Sequence, residues 1–230
     1  LMGRTTPVHI YAPENYDALL ASHLKDFDIH LNFEIDFIPL RGKDPVIILD
    51  DKYLTVTSFP LKHRIPAFGF LFREKPYDRN IIKEMISKYE ITAVRIRAIK
   101  KGEDFIAKNG EVIKNEDLTI PGPVSLSYAY CSDTKFFKRL PGFVKGVDLL
   151  YHEATFDRSL TELAELTGHS TTTDAARTAA EAGAGTLIIG HFSGRYKDIS
   201  VLVDEARSVF PRTLAALDGK TYEVQHINDL

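Results

Sequence analysis

A chain of 230 residues, 44% hydrophobic and 27% charged, is long enough for one substantial core or two small ones and too apolar to stay disordered. Its formal charge of −3 excludes a globally basic field, so a nucleic-acid partner would have to be held by a local patch or a metal centre. The one cysteine, Cys131, rules out an internal disulfide, and no apolar run approaches the roughly 18 residues of a membrane span; a reducing cytoplasm and no membrane partner are the expectation.

Leu1-Met2-Gly3-Arg4 lacks the charged start and apolar core of a signal peptide, and a leucine ahead of the nearest methionine is an odd natural beginning. The chain is expected to start inside a longer protein. Pro7 to Pro13 reads as a short apolar strand closed by proline, followed by a helical stretch from Asn15 to Leu24. From Ile29 to Pro39, Ile29, Leu31, Phe33, Ile35 and Phe37 alternate with polar residues, which predicts a strand. Pro45 to Leu49, the turn Asp50-Asp51-Lys52 and Tyr53 to Thr57 predict a hairpin.

An insertion follows, from Lys75 to Pro121, dividing a core of residues 1–74 and 122–230. Arg79 to Tyr89 carries Ile81, Ile82, Met85, Ile86 and Tyr89 on one face of a short helix. Val94 to Lys101 alternates apolar with basic residues, Arg95, Arg97, Lys100 and Lys101, and is expected to be a strand. Phe105 to Lys108 and Glu111 to Ile113 flank Asn109-Gly110, a strong hairpin signal. Such an excursion suits a phosphate-binding arm; a solvated strand edge guarded by lysines would look the same.

Beyond it, Val124 to Tyr130 predicts a strand ending near Asp133, and Val147 to Tyr151 a buried strand ending at His152-Glu153. Ser170 or Thr171 can cap an alanine-rich helix stopped by Gly183. A strand from Thr186 to Ile189, a helix from Val201 to Val209 and a strand from Thr213 to Leu217 complete a β-α-β series, hence an α/β class.

Taken singly, His63 reads as a surface histidine, Asp133 as a turn residue, and Cys131 as a buried thiol without a Cys-x-x-Cys partner. Together, His63, Asp133, His152, Glu153, His169 and His191 all fall at predicted strand exits or adjoining loops, as metal sites assembled from distant segments require. His9, His23, His30 and His226 lack that placement.

Lys62-His63-Arg64-Ile65-Pro66, Ser132-Asp133-Thr134, His152-Glu153-Ala154-Thr155, Gly168-His169-Ser170-Thr171 and His191-Phe192-Ser193-Gly194-Arg195-Tyr196, in that order, resemble ribonuclease Z, the tRNA 3′-processing endoribonuclease family of the metallo-β-lactamase fold. The resemblance implies an α/β metallo-β-lactamase-like four-layer αββα sandwich, two zinc ions in the complete protein, precursor tRNA as partner and a homodimer. It assigns His63, Asp133 and His191 as zinc ligands, with Asp133 bridging, Glu153 and His169 as the pair that protonates the leaving oxygen, and Ser193 and Arg195 as RNA contacts. Arg95, Arg97, Lys100 and Lys101 fall in the family's flexible tRNA-gripping arm.

Three departures accompany it. The family's His-x-His-x-Asp-His loop is absent from the sequence, so the expectation is a sandwich lacking its N-terminal strands and that loop, with zinc empty or partial and the chain by itself inactive. Thr92-Ala93-Val94-Arg95 stands where the arm often has Gly-Pro, and Gly190 and Gly194 replace the more usual Thr and Ser around the last ligand. Competing readings are another hydrolase of the fold, an arylsulfatase or small phosphodiesterase, and a non-catalytic RNA-binding or dimerising remnant.

Overall fold

The computed structural model describes residues 3–229; Leu1 and Met2, part of the segment on which an internal start was expected, lie outside them. Two compact units are present, one made of residues 3–74 and 126–229 and one of Lys75–Ser125. In the first, β1 (Val8–Pro13), α1 (Tyr16–Asp26) and β2 (Ile35–Leu40) form a β-α-β turn whose strands pair in parallel as a small sheet. The long alternating strand expected from Ile29 begins only at Ile35. Asp28 takes a left-handed conformation and the Ile29 amide bonds back to the Leu24 carbonyl at 2.8 Å, so closing α1 consumes the first residues of that alternation.

Strands β3 (Val46–Asp50), β4 (Leu54–Leu61) and β5 (Ala67–Glu74) form an antiparallel meander. The expected turn is there: the Asp51 carboxylate accepts from the amides of Tyr53 and Leu54, which offers the backbone a ready-made bend.

The second unit holds β6 (Asn80–Ile81), α2 (Lys83–Tyr89), α3 (Ala93–Lys100), β7 (Phe105–Ile106), β8 (Val112–Ile113), α4 (Asn115–Leu118) and β9 (Thr119–Ile120). The Asn109-Gly110 hairpin forms, with Phe105 opposite Ile113. The helix expected over Arg79–Tyr89 loses its first turn to the β6 pairing with β9. The larger correction is α3, where a basic strand was expected. The core of this unit is Ile91, Ile99, Phe105, Ile113 and Leu118, with Ile96 packed against it. It takes Ile96 and Ile99 at helical spacing and leaves Val94 76% exposed, so three-dimensional packing overrides a period-two pattern. Arg95 and Arg97 therefore point to different sides of a helix instead of sharing a strand face.

The first unit resumes with β10 (Ser127–Cys131), α5 (Leu140–Phe143), β11 (Leu149–Glu153), α6 (Thr161–Thr167), α7 (Thr172–Ala182), β12 (Thr186–Gly190), α8 (Ser200–Arg207) and β13 (Thr213–Ala215). Helix α7 starts where the sequence signals it: Thr171 and Asp174 form a reciprocal capping box, and Gly183 closes the helix in a left-handed conformation. The seven-stranded sheet runs β13-β12-β11-β10-β5-β4-β3, parallel from β10 to β13 and antiparallel through β5 and β4. Ala129, Cys131, Leu150, Leu187 and Ile189 bury one sheet face in a single cluster with Leu140 and Val144, the alanines of α7, and Val203 and Ala206 of α8. Alternation puts Tyr128, Tyr130 and Tyr151 on the opposite face, where Tyr130 and Tyr151 stack 4.8 Å apart.

Candidate metal centre

Because β4 is antiparallel to β5 and β5 to β10, the C-terminal ends of β4, β10, β11 and β12 all lie at one edge of the sheet. His63 follows β4, Asp133 follows β10, Glu153 ends β11 and His191 follows β12. His169 joins them from the turn between α6 and α7. This edge is where open α/β sheets place their ligands, because the strands hold the backbone rigid while the side chains beyond it stay accessible. His191 adopts φ 61°, a costly conformation for a residue with a Cβ and one that turns the chain sharply out of β12.

The distances are short. His191 Nε2 lies 3.5 Å from Asp133 Oδ1 and His63 Nε2 4.0 Å from Asp133 Oδ2. The ring of His169 sits 4.9 Å from that of His63 and 5.2 Å from that of His191. One ligand atom each from Asp133, His169 and His191 lies within 4.8 Å of the other two. All five sequence-assigned residues of the cleft come together, with His169 beside the prospective ligands.

Hydrogen bonds orient the three imidazoles alike. His63 Nδ1 meets the Gly168 carbonyl at 2.8 Å and His169 Nδ1 meets Glu153 Oε1 at 2.8 Å; both partners only accept, so both nitrogens carry the proton. The Thr155 hydroxyl donates to Glu153 Oε2 at 2.7 Å and so accepts from His191 Nδ1 at 2.8 Å. Each ring is left with Nε2 as a lone pair. In His63 and His191 that lone pair faces Asp133 at a separation too long for a hydrogen bond. Two ligand atoms of one tetrahedral zinc, with arms of roughly 2.0–2.2 Å, lie about 3.4 Å apart. Acceptors converging on acceptors at nearly that spacing fit a shared cation, and the residues present suit zinc by donor type.

Glu153 anchors the arrangement. Fully buried, it accepts from the Thr134 amide at 3.0 Å, the Thr155 amide at 3.1 Å, the Thr155 hydroxyl and His169. The Lys62 amide donates to Thr134 Oγ1 at 3.1 Å, the Lys135 amide to the Lys62 carbonyl at 2.9 Å, and Ser170 Oγ to the Thr134 carbonyl at 2.6 Å. These bonds tie the loops bearing His63, Asp133 and His169 into one framework.

Gly168 has φ 80°, and a Cβ there would stand 3.0 Å from His63 Nδ1; a side chain would intrude on the bond that orients the ligand. At Gly190 a Cβ would lie 2.6 Å from the Tyr151 hydroxyl, so tyrosine fills the space that a side chain at 190 would use. Thr155, Thr134 and Gly168 were not singled out from sequence. Their only signal was membership of the motifs, since what they contribute is a hydrogen bond or a missing side chain.

Elsewhere, Ser193 and Arg195 flank the cleft. The Ser193 amide donates to the Thr155 carbonyl at 3.1 Å, Arg195 Nε donates to Ser193 Oγ at 3.1 Å, and the guanidinium lies 5.0 Å over the Phe156 ring, whose edge packs on His169. Arg95, Arg97 and Lys100 lie on α3 and Lys101 at its C-cap, in the other unit. Burial holds the His152 imidazole below its ordinary 6.5, its Nδ1 bonding the Glu153 carbonyl at 2.6 Å while Nε2 has no partner among the described residues. No hydrogen bond among the described residues joins it to His63, His169 or His191. Burial likewise raises Tyr128 and Tyr151 to about 12 and pushes the Cys131 thiol far up, which makes a reactive thiolate there untenable.

No protein-family model matches the chain. A Ribonuclease Z of Bacteroides thetaiotaomicron is 41% identical over 229 residues, which is 100% of this chain and 72% of that protein. Among solved structures, human tRNase Z, short form, superposes with TM-score 0.61 at 20% identity, covering 95% of this chain and 68% of that one. A metallo-β-lactamase fold protein from Bacillus subtilis superposes with TM-score 0.55 at 18% identity, covering 91% and 61%.

Proposed function

Because the chain belongs to the ribonuclease Z family and has the metallo-β-lactamase fold, we propose that it is the greater part of a zinc-dependent endoribonuclease that removes the 3′ trailer of precursor tRNA. The observation that carries the reading is the orientation of the cleft: His63 and His191 turn unprotonated Nε2 atoms to the two oxygens of Asp133, beside a buried glutamate that holds a third histidine. Asp133, His63 and His191 would hold the zinc, which when bound would supply activation of a water molecule and neutralisation of charge on the phosphate.

The chain's own residues supply the rest. Glu153 holds His169 through Nδ1 and would stabilise a positive charge on the ring, so a proton taken up at the free Nε2 is aimed into the cleft. When the bond between phosphorus and O3′ breaks, that proton passes to O3′, which leaves the tRNA with a 3′-hydroxyl and the trailer with the phosphate. Arg195, kept in place by Ser193 and by the Phe156 ring, meets a neighbouring phosphate. Arg95, Arg97, Lys100 and Lys101 grip tRNA phosphates from α3 as an arm, sequence-independently.

The test supplies a co-expressed segment bearing His-x-His-x-Asp-His and offers precursor tRNA with a 3′ trailer. Expected are zinc uptake and a single cut that leaves a 3′-hydroxyl. Hydrolysis of an aryl sulfate or small phosphodiester with the precursor left intact would make the protein another hydrolase of this fold. RNA binding without any cleavage would make it a binding remnant.

A further inference from the structure

The wall that carries His63 and Asp133 has a second side. Pro60, Leu61, Lys62, Phe137, Arg139 and Phe143 line most of a cleft of about 360 Å³, within the size range of small-ligand sites, roughly 300–1,000 Å³. Its floor is aromatic: Phe137 and Phe143 meet edge to face at 6.1 Å, and Phe143 is backed by the buried Phe59 at 5.8 Å. Its rim is cationic, formed by Lys43, Lys62, Lys138 and Arg139. The Lys62 ammonium lies 5.2 Å from the Phe137 ring centre and the Arg139 guanidinium 5.1 Å from that of Phe143. Arg139 pairs with Asp44 at 2.5 Å; among the described residues Lys43, Lys62 and Lys138 have no ion-pair partner. Lys62 and His63 are consecutive, and the bonds of Lys62 to Thr134 and Lys135 make this cleft and the metal cleft two faces of one pair of loops.

An apolar floor under several cations and one paired anion does not suit a neutral or acidic occupant equally. It selects a flat apolar group carried on an anionic backbone. We propose that this cleft is a subsite for one unpaired nucleotide of the RNA, its base lying on Phe137 and its phosphates held by Lys62, Lys138 and Arg139. The inference deepens the ribonuclease reading and rests on it for the identity of the strand, which would continue past His63 from the phosphate under attack.

The experiment measures binding of the chain to a labelled single-stranded RNA hexamer and to an abasic hexamer of the same length, across a salt series. The base-bearing strand should bind at least about fivefold more tightly, the effect of stacking one base on an aromatic ring. Phe137→Ala should abolish that difference while leaving the abasic strand's affinity unchanged, and Phe137→Tyr should keep it. Lys138→Gln and Arg139→Gln should weaken both strands alike and each flatten the salt dependence by about 0.7, one phosphate's worth for a single strand. Should Phe137→Ala lower the melting temperature, Phe137→Leu retains an apolar filling without the aromatic face and is read in its place. Equal affinity for the two strands in the unaltered chain overturns the subsite, as does a preference that survives Phe137→Leu. So does self-association abolished by Phe137→Ala without any base preference, which would give the cleft to a second copy of the chain. Lost base preference with precursor tRNA still cut by the completed protein sinks the subsite alone. Base-dependent binding with the precursor left uncut sinks the ribonuclease reading alone.

Discussion

The three imidazoles of the candidate metal cleft are oriented by hydrogen bonds to residues outside the proposed ligand set. Thr155 has a double duty, donating to Glu153 and accepting from His191, so Thr155→Val removes both restraints with little change in shape. Zinc affinity, measured by competition with a chromophoric chelator, should fall about 10–100-fold, the usual effect of losing an outer hydrogen-bond partner of a ligand. Thr155→Ser should stay near the parent value; equal losses in both variants would locate the effect in packing. His152 is the second residue to watch, because its folded form is held neutral below the ordinary 6.5 by burial while the unfolded chain protonates there normally. Below pH 6.5 the unfolded state thus binds more protons, so the stabilisation present above 6.5 is lost on acidification, at up to about 1.4 kcal/mol per pH unit. Denaturation between pH 7 and 5 should show His152→Gln with a shallower decline than the parent; parallel curves would show that His152 is not the source of the acid sensitivity.

At the scale of elements, α3 is the instructive case. Alternation of Val94, Ile96 and Ala98 with Arg95, Arg97 and Lys100 reads as a strand, yet Ile96 and Ile99 pack at helical spacing into the small core of the second unit. The consequence for RNA binding is specific. Arg97 and Lys101 are one helical turn apart and share a face, whereas Arg95 lies round the helix from Arg97. Neutralising Arg97 and Lys101 together should weaken precursor tRNA binding by the protein completed with its metal loop, and lower the slope of log affinity against log salt by about 1.8, two duplex phosphates' worth. Hydrolysis of bis(p-nitrophenyl) phosphate should continue unchanged, since it asks only for the cleft; parallel loss on both substrates would mean that the helix supports the fold.

At the scale of the molecule, the described residues bring one carboxylate and three imidazoles to the cleft, and a structural or catalytic zinc takes about four ligands. Two ions cannot both be satisfied by that set. Metal analysis after dialysis should find at most one zinc per chain, readily removed by a chelator; two tightly held ions would show that the ligand set is larger than the one described. Addition of zinc should raise the melting temperature in proportion to the logarithm of its concentration above the dissociation constant, and Asp133→Ala should abolish that rise.

Much of this was legible in the sequence. Apolar runs leading to His63, Asp133, Glu153 and His191 announced strands, and Ser170 or Thr171 ahead of an alanine-rich stretch announced the start of α7, because capping and hydrophobic periodicity are local properties that a linear pattern can encode. The strand over Val94–Lys101 and the first residues of the Ile29–Pro39 strand were misread, because a period of two or of 3.6 in a short stretch is decided by which partners the rest of the chain provides. Only the tertiary structure decided that β4 runs the same way as β10 through an intervening antiparallel strand, which brings His63 to the edge where the other residues already stand. It alone decided the tautomers: which ring nitrogen of His63, His169 or His191 holds the proton is set by Gly168, Glu153 and Thr155, and hydrogen bonds between residues far apart in sequence leave no periodic trace in it.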